Sequence, residues 1–142
     1  MEESNKDTQG KKTLLVVEDD LFVRDLYVRT LERADFNVIT AVDGQEGLTH
    51  AQEDHPDIIL LDIMLPKING IEVLKTLKAK DNTKNIPVFL LTNLGQEAII
   101  KEAFSIGASG YFLKARLLPQ EVAEHVKEFL STGQVPEASK MV

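Results

Sequence analysis

Three acidic residues in succession, Glu18-Asp19-Asp20, stand directly after a short apolar run, Thr13 to Val17. A single carboxylate, Asp62, follows a second run, Ile58 to Leu61, which is bounded by Pro56 and Pro66. Thr92 closes a third run (Pro87 to Leu91), and Lys114 closes a fourth (Ser109 to Leu113). Runs this short cannot span a membrane, and the second is too uniformly apolar for a strand with one wet face; they read as strands buried inside a parallel sheet. A carboxylate at the end of such a strand is costly unless something compensates it. Several of them together raise at least one pKa unless a cation sits among them. An all-oxygen ligand set without histidine or cysteine suits a hard divalent ion, and Mg2+ with several retained waters is the natural candidate. Beside such an ion Asp62 can act as a carboxylate nucleophile toward phosphorus. The metal and Lys114 would neutralise the phosphoryl oxygens, and Thr92 could hydrogen-bond one of them.

For these residues to meet, the chain must return to the same sheet edge after each strand. Val23, Leu26, Tyr27, Leu31 and Ala34 recur at helical spacing as one apolar stripe, with Asp20 as N-cap. Phe36 to Ala41 reads as a strand, and Asp43-Gly44-Gln45-Glu46 resembles a capping box that opens a helix to about Glu53. Asn69 caps a third helix, in which Ile71, Leu74, Leu77 and Lys78 keep helical spacing. Gln96 to Ile106 forms a fourth, stopped by Gly107, and Leu118 to Leu130 a fifth, with Pro119 in its first turn. Strand and helix thus alternate five times, which predicts an α/β fold with a parallel sheet, helices on both faces and right-handed crossovers. Ligands in such folds gather at the carboxyl ends of the strands, where the four candidate positions lie.

The 142 residues suit one domain, with 43% apolar and 27% charged content ordinary for a globular chain. A net charge of -7 argues against nucleic acid as a direct partner. With no cysteine there is no disulfide, thiol catalysis or zinc-thiolate site. Residues 1–12 are polar and read as a flexible lead rather than a signal peptide, and residues 132–142 as a flexible tail around a domain at 13–131. No run approaches the ~18 apolar residues of a membrane-spanning helix. The expected location is the cytoplasm. His50, His55 and His125 fall on different elements, away from the expected rim, and receive no ligand role.

Val17-Glu18-Asp19, the stretch Pro56 to Pro66, Asn69-Gly70, Leu91-Thr92 and Gly107-Ala108-Ser109-Gly110-Tyr111-Phe112-Leu113-Lys114 together resemble the receiver domain of two-component response regulators, over residues 13 to about 131. Any one of these motifs is weak; five in register are specific. The resemblance implies a doubly wound sheet in the order 2-1-3-4-5 with five helices. It implies that Asp62 accepts phosphoryl from a sensor histidine kinase or a phosphotransfer protein. Asp19 becomes a direct Mg2+ ligand, Glu18 a ligand through water, and Met64 lends its backbone carbonyl. Lys114 holds the phosphate, and Thr92 with Tyr111 forms a switch pair that remodels the surface of the fourth helix, fifth strand and fifth helix, where a downstream protein docks. The chain would catalyse its own phosphorylation and dephosphorylation only, and would not be an enzyme on other substrates. One departure stands out: the family usually has proline after the lysine, joined by a cis bond, whereas Ala115 follows Lys114 here. Because a non-proline cis bond costs ~2.5–4 kcal/mol, a trans bond is expected.

Each residue also has a plainer reading. Asp20 reads best as a helix cap, Thr92 alone would be an ordinary cap, Tyr111 alone would be core, and Lys114 alone a surface lysine. A haloacid-dehalogenase-type phosphatase also pairs an Asp nucleophile with Mg2+, but it needs a second acid where Met64 stands. A flavodoxin-like FMN binder wants a hydroxyl- and glycine-rich loop after the first strand, where this chain has acids. Neither a P-loop nor a G-x-G-x-x-G fingerprint is present. The remaining alternative is a receiver-like interaction module that is never phosphorylated. About a dozen residues follow the last helix, too few for an output domain, so a stand-alone receiver is expected unless the chain is excised from a longer one. Apolar Met64 and Leu94, near the expected path of hydrolytic water, suggest slow dephosphorylation.

Overall fold

A computed structural model describes residues 10–137. The apolar runs become five parallel strands: β1 (Thr13–Val17), β2 (Asn37–Ala41), β3 (Ile58–Leu61), β4 (Val88–Thr92) and β5 (Gly110–Leu113). They form one sheet in the order β2-β1-β3-β4-β5, as the resemblance implied. Five helices join them among the described residues: α1 (Leu21–Arg33), α2 (Gly44–Asp54), α3 (Gly70–Ala79), α4 (Glu97–Ile106) and α5 (Pro119–Thr132).

Strand β3 is the hub. It pairs β1 with Leu14 opposite Ile58 and Val17 opposite Leu61, and β4 with Ile59 opposite Val88. All four of its residues are buried, because alternate side chains enter two separate cores. Ile59 and Leu61 join Leu15, Val17 and Leu90 under α2, α3 and α4. Ile58 and Leu60 join Leu14, Val16, Phe89 and Phe112 under α1 and α5. Each such side chain contributes about 1.5–3 kcal/mol on burial, which explains why a strand covered on both faces carries no polar alternation.

The helix starts follow the expected chemistry. Asp20 accepts from Val23 N at 3.0 Å, Asp43 from Glu46 N at 2.8 Å and Asn69 from Glu72 N at 3.0 Å. The box at α2 is displaced by one residue, since Glu46 Oε1 accepts from Val42 N rather than from the cap itself. Pro119 opens α5, where Glu121 Oε1 accepts from Leu118 N at 2.8 Å.

One expectation is corrected. Leu26, placed in the buried stripe of α1, is 44% exposed, next to Leu21 and an 82% exposed Phe22. The rest of the stripe faces the core as expected: Tyr27 and Leu31 are buried, and Val23 and Ala34 pack against them partly buried. Of the lead and tail expected at residues 1–12 and 132–142, residues 1–9 and 138–142 lie outside the described residues. Within them, Val135 packs on the α1/α5 core and Pro136 is buried.

Candidate functional site

The carboxyl ends of β1, β3, β4 and β5 meet at one rim, where the described residues hold four of their five buried polar side chains at or near a strand end or the adjoining helix cap: Glu18, Asp43, Asp62 and Thr92. Parallel pairing sets the levels. Asp62 N donates to Val17 O at 3.2 Å, Glu18 N to Ala41 O at 3.0 Å and Lys114 N to Thr92 O at 2.9 Å. The side chains that leave these positions are therefore carried to the same edge by the ladders themselves.

Glu18, 4% exposed, and Asp62, 6% exposed, share one cation. Lys114 Nζ donates to Glu18 Oε1, and to Asp62 Oδ2 at 3.1 Å. The remaining oxygens are held from the backbone: Glu18 Oε2 accepts from Asp20 N at 3.0 Å, and Asp62 Oδ1 from Met64 N at 3.3 Å. Asp19 completes the cluster from the solvent side, and one carboxylate oxygen from each of Glu18, Asp19 and Asp62 lies within 4.8 Å of the others. Burial pushes the Glu18 carboxyl above its ordinary value, and the hydrogen bond from Lys114 only partly offsets this. Burial also opposes the charge on Lys114, but its bond to Glu18 and the charges of Asp62 and Glu18 outweigh that and hold it above the usual lysine range. An all-oxygen set with one open, exposed member fits a hard cation that keeps part of its water shell.

Met64 places its amide on Asp62 while its side chain is 62% exposed. Thr92 is fully buried, and its hydroxyl accepts from Leu94 N at 3.3 Å. The Tyr111 hydroxyl donates to Leu94 O, and burial with the nearby Asp62 charge pushes its pKa up to about 12. Both members of the expected switch pair therefore grip the same residue. All peptide bonds among the described residues are trans, Lys114–Ala115 included. The histidines stay away from the rim: His50 pairs with Asp54 at 2.7 Å, and His125 stacks on Phe112.

One feature of the rim escapes a reading of motifs, and another explains the glycine of the Asn69-Gly70 motif. Arg24 reaches back from α1 to donate to Glu18 O at 3.0 Å and Asp19 O at 3.3 Å, clamping the loop that carries both acids. Its signal is an arginine one turn into the helix that follows them. The loop after Asp62 is fixed by close approach: a Cβ on Gly70 would lie 2.2 Å from Asp62 O, and one on Gly44 would lie 2.4 Å from Ile68 O. Only glycine fits there.

A doubly wound sheet with an acidic, lysine-bridged rim defines a class in which chemistry sits at the strand ends. Within that class the match is specific. Residues 14–127 match the family model of the response regulator receiver domain, and the chain belongs to that family. It is 38% identical over 124 residues to the alkaline phosphatase synthesis transcriptional regulatory protein PhoP of Bacillus subtilis, covering 87% of this chain and 50% of that protein. It is 36% identical over 127 residues to the DNA-binding dual master transcriptional regulator RpaA of Synechocystis, covering 89% and 53%. The chain thus spans about half the length of the curated relatives it matches. Among solved structures, chemotaxis protein CheY4 of Vibrio cholerae superposes with a TM-score of 0.77 at 28% identity, covering 84% of this chain and 98% of that one. A chain of the CheX-CheY-BeF3-Mg+2 complex from Borrelia burgdorferi gives 0.78 at 30% identity, covering 89% and 94%. A receiver-like module outside phosphoryl signalling is the less favoured reading.

Proposed function

We propose that Asp62 is the phosphoacceptor of this receiver domain and that Glu18, Asp19 and Asp62, with the Met64 carbonyl, hold Mg2+. The observation that carries the proposal is the ammonium of Lys114 shared between Glu18 and Asp62, which are 96 and 52 positions away in sequence. A buried carboxylate held by one mobile cation retains the capacity to bond elsewhere. Bound Mg2+ supplies positive charge to the phosphoryl oxygens. The chain's own residues do the rest. One Asp62 oxygen attacks phosphorus in line, the P–N bond of a phosphohistidine donor breaks with its electron pair going to nitrogen, and the imidazole leaves, taking a proton from solvent. Lys114 turns from the carboxylate toward a phosphoryl oxygen.

Thr92 then hydrogen-bonds the new group, which releases Leu94 N, while Tyr111 keeps its hold on Leu94 O. The loop into α4 is thereby re-tensioned, and the α4-β5-α5 face changes for a downstream protein. The donor is a sensor histidine kinase or phosphotransfer protein in the cytoplasm, and the chain modifies only itself. The acidic balance of -7 supports protein rather than nucleic-acid contacts for this segment. No helix among the described residues is long and apolar enough to cross a membrane. Exposed, apolar Met64 beside Asp62 offers hydrolytic water no polar anchor, which supports a long-lived aspartyl phosphate. Intact-mass measurement after treatment with acetyl phosphate tests the assignment. The wild type gains one phosphoryl group only with Mg2+, and Asp62→Asn gains none. Equal labelling of the two proteins would refute it.

A further inference from the structure

Beside the rim, an open groove of about 640 Å3 runs between the loop after β3, the start of α3 and the outer side of α4. Its floor is apolar, made by Ile63, Leu65, Ile71 and Ile99. Carboxylates stand on both walls, Glu72 on α3 and Glu102 on α4, and no cation lines it. Both acids are exposed, and the pair Glu72 makes with Lys75 is a 3.4 Å surface contact that a ligand can displace at little cost. We propose that this groove docks a basic amphipathic segment of a partner protein, whose apolar side chains fill the floor while flanking lysines or arginines meet Glu72 and Glu102. A second copy of this chain is a poor occupant, because two surfaces of an acidic chain would meet.

The groove is also wired to the rim. Ile63 follows Asp62 directly, and its carbonyl accepts from Gly70 N at 2.8 Å, at the head of α3. The opposite wall, α4, hangs from the loop that Thr92 and Tyr111 grip at Leu94. Phosphorylation of Asp62, whose next two residues line the groove, adds negative charge beside it and so tightens a cationic ligand. The docking does not depend on the phosphoacceptor assignment; its tightening does.

The test uses methyl-labelled protein and an 18-residue helical peptide of leucine and lysine, with its leucine–glutamate counterpart as control. Shifts at the methyls of Ile63, Leu65, Ile71 and Ile99, with at least fivefold weaker binding in E72K/E102K, are expected. E124K/E128K, which makes the same charge change on α5, should alter Kd less than twofold. Shifts confined to other surfaces, equal effects of the two charge reversals, or equal binding of the acidic peptide would each overturn the docking. With Mg2+ present throughout, addition of beryllofluoride should lower Kd at least threefold. If beryllofluoride shifts the amides around Asp62 but leaves Kd unchanged, the coupling is wrong and the docking stands. If beryllofluoride shifts nothing at the rim, the phosphoacceptor assignment fails and the groove result is untouched.

Discussion

Two lysines at opposite ends of the sheet have opposite characters. Lys78, at the foot of α3, donates to Lys84 O at 3.1 Å and Ile86 O at 2.9 Å, while nearby Thr83 Oγ1 donates to Leu77 O at 2.7 Å. These partners are fixed backbone carbonyls without net charge, and burial alone pulls the Lys78 pKa down. Lys114 donates to two carboxylates, and its pKa is held up. Both ends bury polar groups and satisfy them. Of the two, the upper end does so with charged partners, which on the proposed assignment a metal or a phosphoryl group takes over. Burial of charge does not mark a functional rim; coordination capacity that can be reassigned does.

Removing the exchangeable carboxylate has the largest effect. Asp62→Asn abolishes labelling, as described above, while Thr83→Val at the lower end leaves labelling intact and costs about 1–2 kcal/mol in urea unfolding for the lost buried hydrogen bond. Lys114→Ala comes next. Without metal it leaves Glu18 and Asp62 facing each other and destabilises the fold by about 2–3 kcal/mol. Saturating Mg2+ at least halves that loss, because the ion supplies the missing charge; a loss indifferent to Mg2+ would erase the difference between the two ends. Gly70→Ala forces the backbone of Asp62 to yield and costs about 1–3 kcal/mol, with weaker Mg2+ binding by calorimetry. Lys78→Met costs about 1 kcal/mol whatever the Mg2+ concentration.

The two lysines also divide on pH. Lys114 titrates above 10.5 in the folded protein, so its contribution is complete below 10.5 and disappears as pH rises through the raised value. Lys78 titrates below 10.5, so the folded state binds fewer protons than the unfolded one just under that pH, and the penalty of its burial lifts as pH climbs toward 10.5. Alkaline denaturation of wild type against Lys114→Met and against Lys78→Met should give difference curves of opposite slope. Parallel curves would show that the two sites are electrostatically alike.

The upper end was largely legible because its signals are local: an apolar run, then a charged or hydroxyl residue, repeated at four strand ends. The order of strands came from the family pattern, which also gave Lys114 its expected hold on phosphate; the bridge to Glu18 came from neither, since no local spacing says that residue 114 meets residue 18. The lower end left no trace. Lys78 reads as one more position on a helical stripe, and nothing in its neighbours announces two carbonyls waiting across the turn at residues 84 and 86. Leu26 was misplaced for a related reason: helical period fixes which residues share a face, but the width of the buried face depends on how closely the sheet and α5 approach.

The bond between Lys114 and Glu18 spans 96 positions, almost the whole domain. A chain emerging from the ribosome therefore displays β1, β3 and their acids well before the strand that quiets them exists. Long-range closure of this kind is slow compared with helix formation. On the proposed assignment, a chain cut before β5 therefore lacks the cation that its two acids share.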